Sequence, residues 1–189
     1  MRGIVVGFVV AFSVISTAVA QDHRELGPHV HGAGTLKIAI EGNKVSMDFS
    51  APAMDILGFE HQPTTPEQTK TLDAAKATLA QPLKVFALPD AAGCSVAATN
   101  VVFNAGEPAP AGATPAQAGA MPADAAAIQH ADFDVDYELT CTAPGKISTV
   151  GFPYFQLFAG AQKLTVTVVS DKGQTETDVT RANSVLQMK

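Results

Sequence analysis

The chain has no tryptophan, two tyrosines, two cysteines and five histidines in 189 residues, with 12 Lys and Arg against 18 Asp and Glu. Each shortage excludes a class of function. Nucleic-acid binding needs a Lys/Arg surface that displaces counterions, and single strands also need aromatic platforms. A net charge of −6 without a basic cluster offers neither, so no nucleic acid is expected as a partner. Enzyme signatures are missing as well. There is no His-Glu-x-x-His pattern, no Gly-x-Ser-x-Gly elbow and no phosphate loop, and the cysteines are too far apart for a Cys-x-x-Cys redox motif. After the first 20 residues no run approaches the roughly 20 apolar residues of a membrane helix, so stable membrane insertion is not expected.

The first residues carry an export pattern. Arg2 precedes an apolar run from Ile4 to Ile15, and the small residues Ala18-Val19-Ala20 lead into polar Gln21-Asp22-His23-Arg24-Glu25. A short apolar run between a positive start and a small-residue end reads as a signal peptide over residues 1–20, cleaved after Ala20. Exported chains meet an oxidising compartment, where Cys94 and Cys141 are expected to pair with each other, two buried thiols or a metal pair being the alternatives.

Hydrophobic periodicity points to an α+β fold: a single domain of mostly antiparallel strands with one main helix and a short helical turn. Alternating Leu36, Ile38, Ile40 and Val45, Met47, Phe49 on either side of Gly42-Asn43 predict a hairpin. Thr64 and Glu67 have capping-box spacing and Pro66 suits a first turn, so a helix is expected from there to about Ala80, ended by Pro82. A strand is expected over Ser95–Phe103, and another from His130 to Leu139 with Phe133, Val135, Tyr137 and Leu139 inward. His130, Asp132, Asp134 and Asp136 then share the outer face. Residues 104–127 are almost wholly Ala, Pro and Gly and read as a flexible loop. Phe152 to Phe158 reads as a short helical turn. Lys163–Ser170 and Thr175–Thr180, joined by Asp171-Lys172-Gly173-Gln174, read as a closing hairpin. The organisation expected is a signal peptide (1–20), an N-terminal segment (21–33) and a single domain (34–189).

The histidines carry the chemistry. His29 and His31 flank Val30, and residues two apart on an extended backbone face the same side. Zinc takes about four donors, imidazole nitrogens among them at roughly 2.0–2.1 Å. Further donors would come from Glu60-His61 ahead of the helix and from His130 with Asp132. The candidate Zn2+ ligands are therefore His29, His31, His61 and His130, with Asp132, Glu60 or water as alternatives for the fourth position. Cleavage after Ala20 would also leave Gln21-Asp22-His23 as a new terminus, whose amine, amides and imidazole could wrap a square-planar Cu(II) or Ni(II).

His29-Val30-His31-Gly32, Gly58-Phe59-Glu60-His61-Gln62-Pro63, Ala91-Ala92-Gly93-Cys94, His130-Ala131-Asp132-Phe133 and Cys141 occur in that order. The set resembles the ZrgA family of periplasmic zinc-uptake proteins over nearly the whole mature chain. The resemblance implies a periplasmic zinc-binding protein that assists a zinc import system in the inner membrane. One departure stands out: such proteins often carry a His-rich stretch before the His-Ala-Asp-Phe segment, where this chain has the Ala/Pro/Gly stretch. A single compact site, rather than a histidine tract, is then the expected zinc holder. An exported zinc-dependent hydrolase with Glu60 as base, or a metal-free interaction module, are the other functional classes. Intact-mass measurement on the exported protein should find a chain beginning at Gln21 that gains two hydrogens on reduction; two free thiols would refute the pairing.

Overall fold

Gly42 and Asn43 turn one alternating segment back on the next, and the main sheet grows from that hairpin. The computed structural model describes residues 30–105 and 131–188. β1 (Ala33–Glu41) and β2 (Lys44–Pro52) pair antiparallel with Glu41 opposite Lys44, the two-residue turn that a positive-φ glycine permits. α1 (Ala53–Leu57) follows at once, then α2 (Pro66–Leu79) and α3 (Pro82–Val85). β3 (Cys94–Ala105), β4 (Ala131–Cys141), β5 (Thr149–Gly151), α4 (Tyr154–Leu157), β6 (Lys163–Ser170), β7 (Gly173–Thr180) and β8 (Val185–Gln187) complete the order. The six-stranded sheet runs β3-β4-β2-β1-β6-β7, and β5 pairs with β8 in a separate ladder, with Gly151 also bridging Ala87. Every pairing is antiparallel except β1 with β6. The α+β class expected from periodicity is the one observed.

One face of the sheet is dry. Leu36, Ile38, Val45, Met47, Phe49, Val135, Tyr137, Leu139, Leu164 and Val166 are buried there, as alternation requires. They form one core with Leu72, Ala75 and Leu79 of α2 and with the aromatic segment around α4. Phe86 is the hub, with ring centroids 5.5 Å from Phe49, 6.1 Å from Tyr137 and 6.0 Å from Phe152, all edge-on. The Tyr137 hydroxyl donates to the Leu79 carbonyl at 2.9 Å, which satisfies a carbonyl at the C-terminal end of α2. The opposite face carries exposed Thr35, Lys37, Ser46, Asp136 and Glu138.

Several local expectations shift. The α2 cap is Thr65, whose hydroxyl accepts from Gln68 N–H, while the Gln68 side chain reaches back to Thr64; the box lies one residue later than Thr64–Glu67. Pro82 ends nothing by itself, because α2 already closes at Ala80 and Pro82 opens α3, where a missing N–H is harmless. Asn104 and Ala105 belong to β3, paired with Asp132 and Ala131, so the strand claims the first two residues assigned to the loop. The rest of that loop, the signal peptide, His23, His29 and His130 lie outside the described residues. The last hairpin turns on Asp171-Lys172 only, with Ser170 opposite Gly173.

Cys94 and Cys141 are bonded, and they sit directly opposite each other at one end of the β3–β4 ladder. A closed loop of this length stabilises the fold by roughly 3–4.5 kcal/mol in the chain-entropy account. Phe86→Ala is expected to lower unfolding free energy by about 3–5 kcal/mol, read from denaturant titration.

Candidate metal centre

Strand register gathers several chain segments at one end of the sheet. Thr35 near the start of β1 lies opposite Ser50 near the end of β2, Pro52 lies opposite Asp132 near the start of β4, and Ala33 lies opposite Lys163 at the start of β6. The turn before β1, the exit of β2 into α1 and the first residues of β4 are therefore neighbours.

His31 stands on the turn into β1, its side chain 54% exposed, with Nε2 2.9 Å from Oε1 of Glu60, which is 13% exposed. An imidazole nitrogen and a carboxylate oxygen, both zinc donors, thus meet from segments 29 residues apart. Two donors bound tetrahedrally to one zinc would be about 3.3 Å apart for bonds near 2.05 Å, so the pair needs to open only by a few tenths of an ångström. His61 sits in the exposed loop beyond Gly58, its ring 5.2 Å from that of Phe59. Its Nδ1 donates to the Gln62 carbonyl at 2.8 Å. That hydrogen bond places the proton on Nδ1 and leaves Nε2 with the lone pair a metal takes, the arrangement that backbone carbonyls commonly impose on ligating histidines.

Asp132 differs from its expected place on a solvated face. It is 0% exposed, between Pro52 of β2 and Asn104 of β3, whereas Asp134 on the same side of β4 is half-buried and Asp136 is exposed. The outer face of the strand is wet only along its later part. His29 and His130 lie outside the described residues. Among those residues no three of His, Cys, Asp and Glu converge closely enough to enclose a metal ion. His31 and Glu60 are the pair that is brought together.

Asp55 of α1 did not figure among the candidates. It is 3% exposed, and its Oδ1 accepts the Gly32 N–H at 2.7 Å, which fixes the residue next to His31. Gly32 has φ of +82°, a left-handed conformation that suits glycine, and its carbonyl accepts from both Gln162 and Lys163 N–H. Gly160 presses on the other side of Asp55: a Cβ there would come within 2.6 Å of the Asp55 Cα. The loop that carries Gly160 is held by Arg181, whose guanidinium donates to the carbonyls of Phe158, Ala159 and Ala161. One signal for Asp55 was present in the sequence, an acid inside the otherwise apolar run Pro52-Ala-Met-Asp-Ile-Leu57. Burial raises its carboxyl above the ordinary value of 3.8; the Gly32 N–H and His31 pull it down and Glu60 pushes it up.

A family model described as ZrgA family zinc uptake protein matches residues 28–188, nearly the whole chain. No curated protein matches it.

The raised carboxyl has a signed consequence for stability. Between 3.8 and its folded value Asp55 holds its proton in the native state and has lost it in the unfolded one, so its contribution turns against folding as pH rises through that window. Metal-free protein should therefore fall in stability relative to its Asp55→Asn variant as pH climbs from about 3.8, checked by urea midpoints of both across pH.

Proposed function

As the chain belongs to the ZrgA family of zinc uptake proteins, we propose that it is a periplasmic zinc-binding protein, exported by cleavage after Ala20, that captures Zn2+ and passes it to a zinc import system in the inner membrane. The observation that carries this reading is the approach of His31 Nε2 to Glu60 Oε1 at 2.9 Å. His29 lies two residues before His31, His61 directly follows Glu60, and His130 directly precedes the first residue of β4. In this reading zinc is held by His29, His31, His61 and His130, with Glu60 the carboxylate best placed to enter the shell.

The role is capture and release rather than catalysis. Donors on a turn and on a loop can separate by small motions, which suits an ion that must be given up again. Ligation through neutral imidazole also sets the pH dependence. Protons compete with the metal for the same lone pairs, so affinity falls as pH drops toward the range where imidazoles protonate.

Zinc titration of purified mature protein tests this. His31→Ala combined with His29→Ala should weaken binding at least about tenfold, and affinity in the parent should fall between pH 7.5 and about 5.5. Binding by the double variant as tight as the parent's would overturn the ligand assignment.

A further inference from the structure

Asp55 is a costly residue where it stands. Its Oδ1 is used by the Gly32 N–H, yet its Oδ2 is buried with no hydrogen-bond partner among the described residues. An asparagine could accept the same N–H from the same position without burying an ionisable group. A carboxylate removed from water with one oxygen unsatisfied opposes folding. Arg181 does not relieve it by a hydrogen bond, because its donors are directed at the carbonyls of Phe158, Ala159 and Ala161. The charged or titratable groups whose fields reach Asp55 are His31 and Glu60. Beyond it lies Tyr154, buried with its hydroxyl also unpartnered, whose ionisation Asp55 opposes. Two carboxylates, an imidazole and a buried phenol thus gather at this end of the sheet, with the Arg181 charge acting on the phenol.

We propose that Asp55 is a positioning residue for the captured cation, holding His31 in place through Gly32 and keeping a buried negative charge beside the His31–Glu60 pair. The inference rests on the zinc reading above and deepens it. Asp55 binds no metal directly in this account. Its hydrogen bond sets where the His31 main chain lies, and its charge makes a divalent ion a better occupant of the His31–Glu60 pair than a proton or a water molecule. The charge opposes folding in the metal-free protein and becomes favourable when the cation arrives. Outer partners of this kind typically change metal affinity 10–100-fold when removed.

The two roles separate in Asp55→Asn, which keeps an oxygen for Gly32 and discards the charge. Three measurements on the full mature chain read the result: the thermal midpoint without metal, hydrogen exchange at the Gly32 amide, and zinc affinity. The variant should melt at the same temperature as the parent or higher, keep the Gly32 amide protected, and bind zinc about tenfold more weakly. Zinc binding equal to the parent's would overturn the proposal. So would a lower metal-free midpoint with loss of Gly32 protection, since the charge would then serve the fold. His31→Ala run in parallel distinguishes the two levels of argument. If His31→Ala binds zinc like the parent, the site reading fails and this proposal falls with it. If His31→Ala weakens binding while Asp55→Asn does not, only the role of Asp55 is lost.

Discussion

One peptide unit ties three parts of this molecule together. The N–H of Gly32 reaches Asp55 in α1, and its carbonyl receives the N–H groups of Gln162 and Lys163 at the start of β6, at 2.9 and 2.8 Å. The tie matters because β1 and β6 form the one parallel pairing of the sheet. Antiparallel neighbours can be closed by a two-residue turn, as at Gly42-Asn43 and Asp171-Lys172, whereas parallel neighbours are joined only through a long crossover. Here more than a hundred residues intervene between the two strands, so their common starting line is set by Gly32 and not by a turn. The same knot orients His31, so the backbone geometry of the fold and the placement of this imidazole are one problem.

What periodicity could reveal follows from what it measures. Strict alternation in Leu36–Ile40, Val45–Phe49 and Phe133–Leu139 marks strands half in and half out of the core, and these strands are where they were expected. Short elements held by tertiary contacts escaped. α1 spans five residues and α3 four, too few for a helical period to register, and β5 and β8 are three-residue strands in a ladder separate from the main sheet. The parallel register of β1 with β6 depends on a contact distant in sequence, which no local pattern encodes. For the candidate site the balance is similar. His31 and Glu60 were legible as donor types, and their meeting required the folded chain. Asp55 was hidden because an acid in an apolar helix reads from sequence as an isolated exception, and its burial becomes evident only when Gly160 and Gly32 close over it.

The outer face of the sheet shows how charge is accommodated. Asp48 stands directly opposite Asp136, a cross-strand pairing of like charges that opposes association of the strands. Its other neighbour across the sheet is Lys37, and Asn100 donates to Asp136 at 3.3 Å. Further along, Asn104 donates to Asp134 at 2.8 Å. Amide donors from β3 thus temper a row of carboxylates on β4 without neutralising it. The negative row leads toward the end of the sheet where His31 and Glu60 lie.

The bond between Cys94 and Cys141 closes β3 and β4 at one extremity, while Ala105 and Ala131 mark the other, where β2 runs into α1. Ala105 and Ala131 are paired there, so the covalent connection between the two strands starts and ends at that second extremity. A protease nick anywhere in this connection would therefore yield two polypeptides still married by covalent linkage and by a full ladder. Lengthening, shortening or rewriting the connection leaves the clasp untouched.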